Sequence, residues 1–153
     1  MLDNKGIKCT CLYIGSGVLE NDIKAYATEL KIDINILGFK NQSELPLYYS
    51  IADLLIVPSE SETWGLVVNE ALACGLRVVV SSEVGCAPDL IEDKITGMVY
   101  EKGNTKNLAD AIEKLLDIKV DPTIWDKIKK KISQYSLNKA VEGIKRAVSY
   151  VTQ

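Results

Sequence analysis

Short apolar runs rich in β-branched residues recur along this chain, at Cys9–Ile14, Ile34–Leu37, Leu54–Val57, Val78–Ser81 and Met98–Tyr100. Their near-continuous hydrophobicity predicts strands covered on both faces, as in a parallel sheet. Helical patterns fill the intervals. Ile23, Tyr26, Ala27 and Leu30 fall on one helical face, and Glu44–Ile51 reads as a short helix with Pro46 in its first turn. A helix over Leu66–Cys74 stops at Gly75. Leu108, Ala111, Ile112, Leu115 and Leu116 form an apolar stripe. Strand–helix alternation at a spacing of roughly twenty residues predicts a doubly wound α/β layer. After Pro122 the pattern changes to two helices, over Ile124–Ser133 and Leu137–Val151. Leu137, Ala140, Val141, Ile144, Val148 and Val151 share one face of the second.

The chain has 153 residues, enough for one domain with a sizeable core and too few for two. A net charge of −3 and a pI near 5.1 argue against general nucleic-acid binding, which needs a basic face. Lys127, Lys129, Lys130 and Lys131 cluster, and read as a solvated helix face. No apolar run approaches the ~18 residues of a membrane span, and no signal-peptide pattern is seen, so the cytoplasm is expected. The four cysteines, Cys9, Cys11, Cys74 and Cys86, lack zinc-site spacing and are expected to be reduced and structural. Strand alternation would put Cys9 and Cys11 on one face. The chain has no histidine, which removes every nucleophilic triad that uses one.

The chemistry concentrates in Pro58–Gly75. Glu62 and Glu70 stand eight positions apart around a Trp64-Gly65 turn that opens an almost wholly apolar helix. A carboxylate among Leu66, Val67, Val68, Ala71, Leu72 and Ala73 needs a polar partner, because desolvating its charge costs several kcal/mol. The helix start offers free backbone N–H groups near Gly65 and Leu66, suited to an anion. A pocket for a ligand bearing both phosphates and hydroxyls is expected. Taken alone, Glu62 also fits a charge favouring a helix dipole, worth ~0.3–1 kcal/mol. Glu60 needs no metal to explain it, and no metal site is expected. Gly15-Ser16-Gly17 follows the first strand, where a tight turn accounts for it better than a phosphate loop does.

The run Glu62-Thr63-Trp64-Gly65-Leu66-Val67-Val68-Asn69-Glu70-Ala71-Leu72-Ala73-Cys74-Gly75 resembles the E-x7-E signature of retaining glycosyltransferases with the GT-B fold. These form the large fourth family, which includes sucrose synthases and many bacterial lipopolysaccharide and capsule sugar transferases. Ile51–Ser59 is similar to the family's strand leading into the motif, Arg77–Ser82 to the next strand, and Thr96–Tyr100 to the one after. The resemblance implies the Rossmann-like, donor-binding C-terminal half of such an enzyme. By the same resemblance the parent enzyme would transfer a hexose from a nucleoside-diphosphate sugar to a hydroxyl acceptor with retention, without a metal or other cofactor. Glu62 would contact the transferred hexose and stabilise charge at the reacting carbon. Glu70 would accept hydrogen bonds from both ribose hydroxyls. The amides of Trp64, Gly65, Leu66 and Val67 would face the sugar and diphosphate. Gly38, Phe39 and Lys40 would border the base, and Gly85 the donor sugar. In an open α/β sheet such ligands lie beyond the carboxyl ends of the strands, so the loops at Gly38–Lys40, Ser59–Trp64 and Ser82–Pro88 are expected to converge there.

The chain departs from the family pattern in two ways. Gly85-Cys86-Ala87-Pro88-Asp89 stands where a second glycine and a glutamate are usual, so a side chain at position 86 is expected to narrow the hexose pocket. The family's acceptor domain and its diphosphate-clamping Arg and Lys are also not found, Lys5-Gly6 being a faint echo. The resemblance therefore implies residues 1–153 as a single donor-binding domain of a protein of about 350–400 residues. The glycan or glycolipid acceptor would be held by the missing N-terminal domain, the parent protein sitting in the cytoplasm or peripherally at the inner membrane face. Alone, the fragment would be a poor catalyst. A non-catalytic nucleotide-sugar module, or one subunit of a split transferase, is the alternative. Related phosphorylases would need a cofactor-anchoring lysine and related epimerases a histidine. In the family, terminal helices pack across the partner domain; covering this domain's own sheet is the other option here.

Overall fold

The computed structural model describes residues 2–152, and the chain divides between Tyr48 and Tyr49 into two compact units. In the first, β1 (Cys11–Ile14) and β2 (Ile34–Gly38) are parallel and joined through helix α1 (Glu20–Glu29). The ladder slips between Tyr13 and Ile14, so that Ile14 faces Gly38. Gly38 takes a left-handed φ of 67° there, a conformation glycine adopts without Cβ strain. Of the α1 face read from the sequence, only Ala27 is buried, while Tyr26 and Leu30 remain exposed. Cys9 lies outside β1, and both Cys9 and Cys11 are exposed free thiols. They are free thiols as expected, but their exposure corrects the expectation that they are structural: an apolar run predicts a strand and does not say whether its faces are covered. Lys5 and Gly6 close a 3-10 turn, with the Gly6 amide 3.0 Å from the Asp3 carbonyl oxygen. Helix α2 (Leu45–Ile51) runs through the division between the units.

The second unit holds a three-stranded parallel sheet in the order β3-β4-β5: β3 (Leu55–Val57), β4 (Val78–Ser81) and β5 (Gly97–Tyr100). The expected parallel layer is thus present as two ladders, one in each unit. All four residues of the central strand β4 are fully buried, which is why its sequence is apolar without alternation. Helix α3 (Leu66–Ala73) crosses from β3 to β4 and the short α4 (Ala87–Leu90) from β4 to β5. Helix α5 (Thr105–Asp117) packs Ala111 and Leu115 against Val79 and Tyr100, with Ile56, Met98 and Leu108 around them. Val78 and Val80 face the opposite side of the pleat. Arg77, itself buried, donates from Nη2 to the Leu115 and Ile118 carbonyls at 2.7 and 2.9 Å, tying the end of α5 to the start of β4.

Two further helices follow, α6 (Pro122–Ser133) and α7 (Leu137–Val151), within two residues of their expected limits. Each begins at a side-chain cap: the Asp121 carboxylate accepts from the Ile124 amide at 2.9 Å, and the Ser136 hydroxyl from the Lys139 amide at 3.4 Å. Helix α6 packs on α3, with Ile128 fully buried. Helix α7 does not cover the sheet, since Leu137, Val141, Ile144, Val148 and Val151 of its apolar face are all exposed. No helix among the described residues is long and apolar enough to cross a membrane.

Candidate functional site

The loop after β3 carries Glu62 and the loop after β4 carries Gly85 and Cys86. Backbone hydrogen bonds zip the two together: Glu62 N–H to the Glu83 carbonyl at 3.1 Å, Gly85 N–H to Glu62 at 2.9 Å, and Cys86 N–H to Trp64 at 2.9 Å. Glu62 and Val84 pair in parallel, so the contact continues the β3–β4 ladder past the strand ends. Below it, the fully buried Ser81 hydroxyl donates to the Ser59 carbonyl at 2.5 Å. Loops are usually the mobile parts of a fold. These are held by the sheet.

Gly65 then opens α3 with a left-handed φ of 97°. A Cβ there would lie 3.0 Å from Val84 Cγ1, so both conformation and space call for glycine. No side chain caps α3, and the Leu66 and Val67 amides precede any intrahelical acceptor. Val68, Ala71 and Leu72 face the core. Leu66, Val67 and Glu70, spaced i, i+1 and i+4, occupy the other face, where Leu66 and Val67 are exposed and Glu70 is half-buried. The helix therefore offers a free N-terminus and, one turn further along, a carboxylate flanked by apolar side chains.

Two side chains fix this face. The Trp64 indole N–H donates to Asn69 Oδ1 at 2.8 Å, and its ring lies 6.1 Å from that of Tyr135. Tryptophan is thus a strut for the turn, and its amide reaches Glu62 Oε1 at 3.4 Å. Tyr49, buried on α2, donates its hydroxyl to Glu70 Oε2 at 2.9 Å. Burial first, and then the Glu70 carboxylate, push the Tyr49 phenol well above its ordinary range, so it remains a donor. Tyr49 was not among the residues the sequence singled out. Its only trace there is a tyrosine in a short amphipathic helix, which says which way it faces and not what it meets.

Cys86 does not line an open pocket, contrary to expectation. It is fully buried, with Sγ 3.9 Å from the Gly65 carbonyl oxygen, so the thiol supports the turn from beneath. Asp89 accepts from the Tyr135 hydroxyl at 3.3 Å. Burial, with Asp89 and Glu62 adding, pushes the Cys86 thiol up to about 11. A raised folded value means stability is fully present below the unfolded thiol's pKa, ~8.5, and is lost as pH rises from there towards 11. Urea midpoints measured from pH 8 to 10.5 should fall more steeply for the unaltered chain than for Cys86→Ala. Parallel slopes would contradict this.

Gly38, Phe39 and Lys40 belong to the first unit: Gly38 ends β2, Phe39 is exposed, and Lys40 Nζ lies 5.9 Å from the Tyr48 ring centroid. A cavity of about 420 Å³ opens elsewhere in the second unit, beside Asp53 and Arg77, which precede β3 and β4 at the strands' amino ends. Among the described residues, no group of three or more His, Cys, Asp or Glu side chains is placed to hold a metal ion.

The α/β layer of parallel strands and helices matches the fold of the C-terminal half of GT-B transferases. The chain matches glycosyl transferases group 1 over residues 1–139, and it belongs to that family. It is 30% identical over 157 aligned positions to an alpha-D-kanosaminyltransferase of Streptomyces kanamyceticus, covering 96% of this chain and 40% of the relative. It is 37% identical over 111 positions to a D-inositol 3-phosphate glycosyltransferase of Mycobacterium leprae, covering 71% of this chain and 26% of that one. Among solved structures, Anabaena HepE in complex with UDP superimposes with a TM-score of 0.80 at 25% identity, over 92% of this chain and 41% of HepE. The chain thus spans well under half the length of these relatives.

Proposed function

We propose that this chain binds the donor of a retaining hexosyltransferase, a nucleoside-diphosphate sugar whose hexose is passed to a hydroxyl acceptor. The observation that carries this reading is the geometry of α3, whose uncapped N-terminus and half-buried Glu70 share one open face. A diphosphate at the N-terminus meets free amides and the positive end of the helix dipole. Glu70, one turn along, accepts from the ribose hydroxyls. The Trp64, Gly65, Leu66 and Val67 backbone faces the sugar and diphosphate, with Gly85 behind them. Glu62, held at the strand end, contacts the hexose and offsets positive charge at its anomeric carbon. This reading calls for no metal: the helix amides offset part of the diphosphate charge, and basic residues of the kind that clamp it in the family would offset the rest. The acceptor, a glycan or glycolipid, is held by sequence beyond this domain, and the reaction belongs in the cytoplasm, where free thiols persist.

UDP is the first nucleotide to test, since HepE has been solved with UDP and glucose. Calorimetric titration of UDP, GDP and ADP into the chain should give saturable binding of one of them. Glu70→Ala should weaken it by about tenfold or more, as expected when a charged hydrogen-bond acceptor is removed. Equal affinity in the two proteins would sink the assignment of Glu70.

A further inference from the structure

The geometry points to Tyr49 as a positioning residue that makes Glu70 selective for ribose over deoxyribose. This rests on the donor-site reading above. A glutamate has three rotatable side-chain bonds, and fixing them when ligand arrives is a cost set against binding. Here the side chain is held before any ligand is present. The Tyr49 hydroxyl, 2.9 Å from Oε2, comes from a different helix and from a buried residue, so both ends of the contact are anchored. A carboxylate offers about four lone-pair directions, two on each oxygen. Tyr49 takes one on Oε2. Among the described residues no hydrogen bond is made to Oε1, and the bond from Tyr49 restrains how the carboxylate can turn. Two vicinal hydroxyls can then be met without rearrangement.

The same arrangement bears on selectivity. A site built to receive a hydroxyl discriminates against its absence because the waiting polar group is left unpaired. That holds only if the group cannot turn away to water. Anchored by Tyr49, Glu70 cannot easily reorient when the 2′-hydroxyl is missing. Freed of Tyr49, it can swing to solvent and the discrimination shrinks. Tyr49 touches no ligand in this account and acts entirely through Glu70.

The test is calorimetric titration of UDP, GDP and ADP and their 2′-deoxy counterparts into the unaltered chain, Tyr49→Phe and Glu70→Ala. Phenylalanine keeps the buried ring and deletes only the hydroxyl. Tyr49→Phe should bind the preferred ribonucleotide about 3- to 10-fold more weakly, with little change for the 2′-deoxy form, so the ribo-to-deoxy affinity ratio falls. Retained deoxynucleotide binding is the control for folding. An equal loss for both forms, or no loss for either, overturns the positioning role while leaving the donor site intact. Binding of none of the three nucleotides by the unaltered chain, or binding indifferent to Glu70→Ala, overturns the donor-site reading and this inference with it.

Discussion

Gly75→Ala should destabilise the chain by about 2–4 kcal/mol, the sum of a conformational and a packing cost. Gly75 ends α3 with a left-handed φ of 81°, where an L side chain is strained by roughly 1 kcal/mol. The larger part is spatial. A Cβ on Gly75 would fall 1.4 Å from Trp125 Cζ3 and 2.1 Å from Cη2. The indole lies against the glycine and is a rigid ring, so α6 would have to lift away from α3. For a chain of this size that loss lowers the melting temperature by about 5–15 °C. Thermal and urea unfolding would measure it, and a loss below about 1 kcal/mol would show that α6 yields more readily than its packing suggests. Trp125→Leu in the Gly75→Ala background should recover part of the difference, because it removes the atoms in conflict.

The second large effect is on the site. Gly85 has no left-handed φ to protect, so its constraint is space alone. A Cβ at Gly85 would sit 2.0 Å from the Thr63 carbonyl oxygen and 2.7 Å from its carbon, against backbone that cannot rotate aside. Gly85→Ala must therefore prise apart the loops that Glu62 and Gly85 zip together at 2.9 Å. Displacing Glu62, Thr63 and Trp64 moves the start of α3 with them, and misplacement by about 1 Å can cost up to a hundredfold at a reacting site. Donor binding should weaken by about tenfold or more, while the melting temperature shifts less than in Gly75→Ala. Unchanged nucleotide affinity would mean that the zipped loops do not shape the donor site.

Much of this architecture could be read from the residues. The Val78–Ser81 run is apolar throughout because β4 is the middle strand and is covered on both sides. Pro122 marks the approach to α6 through local chemistry, which needs no distant partner, while the caps Asp121 and Ser136 are seen only in the structure. What the residues do not disclose concerns distant partners. Cys9 falls outside the strand and Cys11 lies in it, and both are exposed, because nothing local states whether a strand's face is covered. The apolar stripe of α7 was legible as a stripe, yet it is left open. A side chain at position 86, where the resembled family has a second glycine, suggests a narrowed pocket, while Cys86 turns inward beneath Gly65. Glu70 was expected to seek something polar, and part of the answer is Tyr49, twenty-one residues earlier. Periodicity orients a side chain and leaves its partner unnamed.

The pairing of Glu62 with Val84 beyond the end of the β3–β4 ladder bears on how such a domain can change. Because Glu62 and Gly85 are fixed by main-chain bonds, their placement depends little on which side chains surround them. Thr63, Leu66 and Val67 are exposed and, among the described residues, make no such bonds through their side chains, so they can be exchanged without disturbing the backbone that places the glutamates. Insertions between Glu62 and Gly65 would break that frame, whereas substitutions at those three positions would alter only the surface a ligand meets. Directed evolution of donor preference should accordingly begin with side chains at 63, 66 and 67 and hold the length of the loop constant.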